Sequence, residues 1–404
     1  IILLSHILSL TPLTIFFFLK ATFSVAIHIY FSKMKMKEIP TLPQDIIIEI
    51  LIRLPLKTLL KFRSVSKSWL YLLSDAQFHK THISFSTNNP KFTDYTLAAI
   101  PTLSGLGKIC HVYTISSENS SVIVSKHGCP SKTLSLSAWI LGSCNGLICL
   151  TSDSFNLMLL NPCTGKFSLF PDLMIEYEVG DGGVHIRYGF GYDASTDDYK
   201  VVKMFSFPRI DNEGRHVNMV SVYSLKGSSW SSIQGFDSGH VNGNVAVFAN
   251  GVLHWEGCYD YVSGGVSSEI VTLDLAKERY GRIALPRYEG GGIHWTLGES
   301  RGRLVACCNY ESDKADMWVL KEYGVEKTWT KVVTISSPDD RRVSISPLFV
   351  AENGDEVLVK LGTEVTLYNS RNASFKRIAD YVSMDDFLQV QVTTYLESLA
   401  SPHI

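Results

Sequence analysis

The feature of this sequence that most constrains its fold is a long series of short apolar runs that begins near Thr87. The runs are rich in Val, Ile, Phe, Tyr and Trp, and clusters of Gly, Asn, Asp and Ser separate them. β-branched and aromatic residues favour strands, whereas these small and polar residues favour turns. We therefore predict that residues 85–404 form one large all-β domain.

A strand-turn-strand pattern recurs within this domain. It is found at Gly146–Leu150 with Asn161, Gly189–Met204 with Val222, Gly251–Trp255 with Leu273, Gly302–Cys307 with Trp318, and Val350–Val359 with Leu367. The spacing is irregular, about 40 to 60 residues, which is near the blade period of β-propellers. We predict a propeller-like domain whose repeat is too degenerate to reveal the number of blades. A two-sheet sandwich is the alternative, although a region of this length would overfill one.

Turn residues support hairpins inside the repeats. Asn250-Gly251 and Asn353-Gly354 each lie between apolar runs, where a tight hairpin needs two positive φ angles. The acidic residues Asp193, Asp197 and Asp198 lack the spacing of a calcium-binding loop. We interpret them as part of another hairpin turn.

The segment before this domain has helical periodicity. A first apolar stripe consists of Ile47, Ile50, Leu51 and Leu54. Pro43 suits the first turn of this helix, and Pro55 ends it. A second helix, capped by Thr58, and a third continue the apolar surface through Leu59, Phe62, Val65, Trp69, Leu72 and Leu73. The predicted fold class is therefore α+β, with a small three-helix domain at residues 40–84 before the large all-β domain.

Residues 1–35 form an apolar leader that includes Phe16–Leu19. Such a segment is typical of a signal peptide or a membrane anchor. However, the chain begins with Ile, and Met34 and Met36 directly precede the helical pattern. We interpret the leader as translated upstream sequence, with an anchor as the alternative.

Charge and cysteine usage narrow the class of protein. The formal net charge is -2, which argues against a nucleic-acid partner because phosphate backbones favour a strongly basic face. The eight cysteines include no CxxC pair, and His185, His216, His240, His254 and His294 are isolated. We predict no metal site, no cofactor and a cytoplasmic or nuclear protein. The sequons at Asn119 and Asn372 would matter only on the secretory route.

Catalytic motifs are weak. The sequence contains no P-loop, HExxH motif or dinucleotide fingerprint. Gly142–Gly146 matches a nucleophile elbow with Cys144 as the nucleophile, but an elbow requires a strand-turn-helix context. The apolar run Leu147–Leu150 predicts a strand instead. We therefore favour a tight turn here and a protein that is not an enzyme, with a Cys144 hydrolase as the competing hypothesis.

The segment LPQDIIIEILIRLPLKTLLKFRSVSKSW, Leu42–Trp69, resembles an F-box. It has a Leu-Pro opening, an Ile/Leu-rich helix that ends in Leu-Pro, a Leu-rich second helix and Val-Ser-Lys-Ser-Trp. Ser66 stands where many members have Cys. The region that follows is similar to the F-box-associated interaction domain of plant proteins, on the segments SCNGLICL, LLNPCTGKF, YGFGYDASTDDYKVVKM, VYSLKGSSW, FANGVLHW, IVTLDLAKERY and YLESL.

This resemblance implies a kelch-like or propeller domain that binds a target, behind a helical module that binds a Skp-type adaptor and, through it, a cullin. The protein would be the substrate-recognition subunit of a ubiquitin ligase, without bond chemistry or a cofactor of its own. The resemblance assigns the adaptor surface to Leu42, Pro43, Ile47, Ile50, Leu51, Leu54, Pro55, Leu59, Val65 and Trp69. The competing interpretation is that several of these residues only fill the helical core. The alternative function is a carbohydrate- or protein-binding propeller outside the ubiquitin system.

Overall fold

The computed structural model describes residues 43–88, 96–103, 111–118, 121–128, 138–152, 156–173, 184–210, 216–236, 240–260, 265–266, 269–286, 292–310, 314–323, 328–336, 344–351, 354–362, 364–379 and 387–403. The predictions for the leader, Leu42, Asn119 and Asn353 lie outside these residues. Contacts divide the chain into two compact units, with the boundary between Ser86 and Thr87. Each unit is described by itself.

The first unit is helical. It contains α1 Gln44–Leu51, α2 Leu56–Phe62, α3 Lys67–Leu72 and α4 Ala76–Asn88 except for the end of α4 that lies past the boundary. The first three correspond to the predicted helices, and α4 is an addition. The Nε2 atom of His82 on α4 lies 3.1 Å from the main-chain oxygen of Leu54, which links α4 to the segment between α1 and α2.

The helix starts differ in detail from the prediction. Pro43 and Pro55 occupy the N-cap positions of α1 and α2 with extended backbone, rather than the first helical turn. The predicted cap at Thr58 is wrong, because Thr58 lies inside α2. Because proline lacks an N–H and has a fixed φ, it can begin a helix without a side-chain cap. Ser66 does cap α3, since its Oγ accepts a hydrogen bond from the Trp69 N–H at 3.2 Å.

The second unit contains six four-stranded antiparallel arrays in its described residues, which we call blades 1 to 6. Blade 1 comprises β25 Phe387–Tyr395, β1 Thr96–Leu103, β2 His111–Glu118 and β3 Ser121–Gly128. Blade 2 comprises β4 Ile140–Cys144, β5 Leu147–Ser152, β6 Asn156–Asn161 and β7 Lys166–Pro171. Blade 3 comprises β8 His185–Asp193, β9 Asp198–Ile210, β10 His216–Ser224 and β11 Ser229–Ile233.

The remaining blades follow the same order. Blade 4 comprises β12 His240–Ala249, β13 Val252–Asp260, β15 Glu269–Asp274 and β16 Arg279–Ala284, and β14 Gly265–Val266 pairs with β13. Blade 5 comprises β17 Gly292–Ser300, β18 Arg303–Tyr310, β19 Lys314–Leu320 and β20 Trp329–Ser336. Blade 6 comprises β21 Ile345–Val350, β22 Glu356–Leu361, β23 Glu364–Asn369 and β24 Ser374–Ala379. Blades 3 and 4 form one nine-stranded sheet through a single parallel bridge between Tyr188 and Val245.

The first strands of the blades form a closed ring. β25, β4, β8, β12, β17 and β21 each contact the next, and β21 returns to β25. The ring closes because β25 pairs with β1, so the last strand completes the first blade. A closed ring leaves each blade packed between two neighbours. The predicted fold class, a few helices followed by a large propeller-like β domain, is confirmed, and the described strands make six blades.

The turns between first and second strands match the prediction where the structure describes them. Asn250 and Gly251 have φ angles of 53° and 80°, as a two-residue hairpin turn requires. Asn145 and Gly146 adopt the same conformation, with φ angles of 51° and 82°. The predicted turn at Asp193–Asp198 is also confirmed, since it joins β8 to β9.

The turns between third and fourth strands carry a motif that sequence reasoning missed. In blades 2, 3, 4 and 6 the third strand ends in a short polar side chain that accepts a hydrogen bond from a backbone N–H two or three residues later, whereas the third strand of blade 5 ends at Leu320. The pairs are Asn161 with Cys163 at 2.9 Å, Ser224 with Gly227 at 2.7 Å, Asp274 with Ala276 at 3.0 Å and Asn369 with Arg371 at 3.0 Å. Such side chains mimic a backbone turn. In those four blades the polar residue therefore marks where the third strand ends.

Candidate functional site

The helical unit exposes several large apolar side chains. Val65, between α2 and α3, is 47% exposed, and Leu70 and Tyr71 on α3 are 40% and 75% exposed. Pro43 and Pro55 are also exposed. We call these five residues the exposed apolar set. Contiguous exposed apolar surface marks protein-binding sites, so these residues are the candidates for such a surface on this unit.

The interior of the helical unit is well packed beneath these residues. Leu51, Leu54 and Leu59 are almost completely buried, and the ring of Trp69 meets that of Phe62 edge to face at 5.2 Å between centroids. Each such side chain stabilises the folded unit by about 1.5–3 kcal/mol through burial alone. The unit can therefore hold the exposed apolar set on a fixed backbone.

Basic side chains accompany the apolar ones. Lys57, Lys61 and Lys67 are exposed, and Arg63 is half-buried and donates a hydrogen bond to the Ser74 Oγ at 3.3 Å. Their charge suits a solvated face and would also steer an acidic partner towards the helices.

The propeller has a cavity at its axis, with a volume of about 190 Å³. Most of its lining lies where the first strands of the blades end and turn. The lining includes Ser143, Cys144 and Asn145 of blade 2, Phe248, Ala249 and Asn250 of blade 4, Glu299, Ser300, Arg301 and Gly302 of blade 5, Phe349 of blade 6, and Thr394, Tyr395 and Leu396 of blade 1. Contributions from five blades place the cavity on the ring axis.

The cavity lacks the features of a hydrolase site. Burial, together with the charge of Glu299, raises the pKa of the Cys144 thiol well above its ordinary value. Burial also raises the pKa of Glu299, although the N–H of Gly302 donates to its carboxylate and opposes that shift. A protonated, buried thiol is a poor nucleophile. In addition, Cys144 precedes a hairpin between β4 and β5, so the predicted tight turn is confirmed and the elbow context is absent at this position.

His254 is a core residue. Its Nδ1 lies 3.1 Å from the Val247 main-chain oxygen and its Nε2 lies 3.0 Å from the Tyr323 hydroxyl. Burial lowers its pKa to about 4 despite hydrogen bonds to the backbone, so the ring is neutral at physiological pH.

Within the described residues, no group of three or more His, Cys, Asp or Glu side chains is arranged to hold a metal ion. In the same part of the chain, no helix is both long and apolar enough to cross a membrane.

Comparison with known families decides the class of protein. The model of the F-box domain matches residues 39–81, and that of the F-box associated beta propeller domain matches residues 100–382, which is more than half of the chain. This chain is an F-box protein. It belongs to the family in which an F-box precedes an F-box associated beta propeller domain.

Relatives of this F-box protein occur in Arabidopsis thaliana. An F-box/kelch-repeat protein is 30% identical over 344 residues, which cover 83% of this chain and 89% of the relative. The F-box protein CPR1 is 30% identical over 367 residues, covering 84% of this chain and 85% of the relative. Among solved structures, an oligogalacturonate lyase from Vibrio parahaemolyticus aligns with 70% of this chain and 79% of its own, at 10% identity and a TM-score of 0.39. That similarity is too low to carry an argument.

The F-box residues predicted to contact the adaptor fall into three groups. Pro43, Pro55 and Val65 are exposed, and Ile47 and Ile50 are half-buried. The buried group consists of Leu51, Leu54, Leu59 and Trp69, and Leu42 lies outside the described residues. Direct contact with an adaptor stays a prediction for all ten. In the structure, the buried four support the surface from beneath, which fits the competing interpretation that some fill the core.

Sequence reasoning missed Leu70 and Tyr71 as surface residues of the F-box. They follow Trp69 directly, and α3 buries Trp69. Consecutive residues on a helix point about 100° apart, so the two residues after a buried one turn away from the core. The position of the buried Trp was therefore the signal that could have identified them.

Proposed function

We propose that this F-box protein is the substrate-recognition subunit of a Skp-cullin-F-box ubiquitin ligase. Its F-box would dock on a Skp-type adaptor, and its propeller would hold the target protein for ubiquitylation. The observation that carries this proposal is the exposed apolar set on the F-box, because a partner surface that covers it would bury side chains now left in water.

The proposed mechanism is proximity. The adaptor binds the cullin scaffold, which brings a ubiquitin-loaded enzyme, and the propeller keeps a lysine of the target within reach. Tethering raises the effective concentration of the two reactants without any bond chemistry by this chain. The inert environment of Cys144 agrees with a role of this kind.

We also propose that the protein works in the cytosol or the nucleus. Cys144, Cys149, Cys307 and Cys308 are buried free thiols. Free buried thiols suit a reducing compartment, where the adaptor and cullin would meet this chain.

Co-purification of the full chain with a plant Skp-type adaptor tests the docking step. The test variant carries Val65→Asp and Tyr71→Asp, which place two charges within the exposed apolar set. The control is Gln77→Asp, at an exposed position of α4. We expect wild type and the control to bind, and the double variant to lose about 100-fold or more in affinity because its charges would be buried without partners.

Two outcomes would count against the proposal. If wild type is folded yet does not bind the adaptor, the ligase role is wrong. If the double variant binds as tightly as wild type, docking does not use the exposed apolar set. Circular dichroism of all three proteins shows whether their folds are equivalent.

A further inference from the structure

A cleft between blades 5 and 6 gathers positive charge in a chain whose net charge is -2. Its volume is about 600 Å³, within the range of ligand-binding clefts. Four cationic side chains line it, namely Arg301, Arg303, Lys321 and Lys331. They come from two turns and from strands β18 and β20, so only the fold brings them together.

Two of the cations are held in place. Arg301 lies in a hairpin turn with a φ angle of 53°, and its Cζ lies 5.5 Å from the centroid of the Phe349 ring. Lys331 forms an ion pair with Asp316 at 2.7 Å and lies 5.9 Å from the centroid of the Trp318 ring. A charge with a fixed position loses less entropy when a ligand arrives. Arg301 therefore provides preorganised positive charge, whereas the charge of Lys331 is partly offset by Asp316.

The other two cations are available to a ligand. Arg303 and Lys321 are exposed, and neither is ion-paired within the described part of the chain. Asp355 is the single acidic residue among the described residues that line the cleft, and its carboxylate is ion-paired with Arg371. Because Asp355 is paired with Arg371, it does not neutralise the charge of Arg303 and Lys321.

The base of the cleft is rigid. The hydroxyl of Ser300 donates a hydrogen bond to the Val350 main-chain oxygen at 3.1 Å and accepts one from the Val350 N–H at 3.0 Å. Ser300 is buried, so this pair joins blade 5 to blade 6 beneath the cations. Binding would not need the two blades to rearrange.

The lining of the cleft includes an edge strand. Thr330, Lys331 and Val332 are consecutive residues of β20, and all three line the cleft. β20 is the last strand of blade 5, so one side of its backbone has no strand partner in the described residues. Extended peptides bind along such strand edges through main-chain hydrogen bonds.

We propose that this cleft binds an acidic peptide segment of the target protein. The anionic groups, either Asp and Glu carboxylates or phosphorylated side chains, pair with Arg301, Arg303, Lys321 and Lys331. Arginine is well suited to both because its guanidinium forms two parallel hydrogen bonds with a carboxylate or a phosphate. A peptide fits better than a nucleic acid, which would require a broad basic face. This inference rests on the proposed role of the propeller in holding a target.

Fluorescence anisotropy with the purified full chain tests the proposal. Three labelled peptides of equal length carry Glu residues, phosphoserines or Gln residues at the same positions. The test variant is Arg303→Glu with Lys321→Glu. The control is Lys166→Glu with Lys314→Glu, which makes the same change in net charge at exposed positions outside the cleft lining. Lys314 is the first residue of β19 and Lys321 directly follows its last, so the control also probes this strand.

We expect wild type and the control to bind a Glu or phosphoserine peptide about tenfold more tightly than the Gln peptide, and the test variant to lose that preference. Binding of only the phosphoserine peptide identifies phosphate as the source of charge, whereas binding of both acidic peptides identifies charge alone. Equal binding of all three peptides by wild type would overturn the proposal. Equal losses of affinity in the test and control variants would also overturn it. Binding of an added DNA oligonucleotide without binding of any peptide would do the same.

The assay contains no adaptor. A failure of F-box docking would leave its result unchanged, and a negative result here would leave the proposed ligase role to be judged by co-purification. The two proposals can therefore fail separately.

Discussion

Gly146 lies directly against Ser398: a Cβ atom added to the glycine would overlap the serine hydroxyl and lie 2.6 Å from the main-chain oxygen of Leu396. The same serine hydroxyl donates a hydrogen bond to the Asn145 main-chain oxygen at 2.7 Å. The turn between β4 and β5 is thus packed against the segment that follows β25, the strand that closes the propeller.

Gly146→Ala is expected to destabilise the propeller much more than Gly251→Ala. Both glycines occupy the same position of an Asn-Gly turn, with φ angles of 82° and 80°, but no atom lies within 4 Å of an added Cβ at Gly251. The shared backbone strain costs about 1–2 kcal/mol, and the steric overlap at Gly146 adds about 1–3 kcal/mol. Chemical denaturation of the two variants measures the difference. Equal losses would show that the contact with Ser398 is not tight in solution.

Asp193 is expected to make the stability of the propeller depend on acid pH. Its burial would raise its pKa, but hydrogen bonds from Ser195 and Thr196 and the ion pair with Lys200 at 3.0 Å lower the pKa overall. Because the native pKa is lower than the unfolded value of about 3.9, the stabilisation is complete above that value. It is lost as the pH falls towards the native pKa.

The variant Asp193→Asn tests this pH dependence. At pH 7 it should be less stable than wild type by about 1–3 kcal/mol, because it loses the charge that Lys200 pairs with. Its stability should then fall less than that of wild type on acidification, as measured by urea denaturation across the acid range. Parallel curves for the two proteins would exclude Asp193 as a source of acid sensitivity.

Leu54→Asp and Val65→Asp should affect the F-box in different ways. Leu54 is 1% exposed, so a carboxylate there is buried without a partner and costs about 3–5 kcal/mol, enough to unfold a small helical unit. Val65 is 47% exposed, and its replacement should change stability by about 0.5 kcal/mol or less. Helical circular dichroism and adaptor binding separate the two effects. Val65→Asp should lose binding with its helices intact, and helix loss in that variant would contradict the exposed placement.

Alkylation should distinguish the thiols by burial. Burial raises the pKa of Cys144 and Cys149, whereas Cys163 lies half-buried in the turn between β6 and β7. With iodoacetamide at mildly alkaline pH, mass spectrometry should find label on Cys163 well before Cys144 or Cys149. The reason is that the fraction of thiolate and the solvent access of the sulfur control the rate of alkylation. In urea all three should react. Rapid labelling of native Cys144 would revive the hydrolase hypothesis.

Much of the local structure could be predicted from residues close together in the sequence. The apolar stripe Ile47–Leu54 predicted α1, and Asn250-Gly251 predicted a hairpin turn, since each depends on φ and ψ preferences of a few neighbouring residues. The fourth helix was missed. Its buried residues are Phe78, His82 and Ser86, and two of these are polar, so the helix lacks a clear apolar stripe.

The sequence by itself determined the order of the two domains, the strand character of the region that follows α4 and the F-box pattern at Leu42–Trp69. Only the tertiary structure decided the six blades, the closure of the ring by Leu97 pairing with Thr394, and the meeting of Arg303 with Lys321 and Lys331 at one cleft. The reason is physical. Strand and turn preferences depend on residues that are neighbours in the chain. Closure of the ring and the charge of the cleft depend on which distant segments pack together, and hydrophobic periodicity does not specify this.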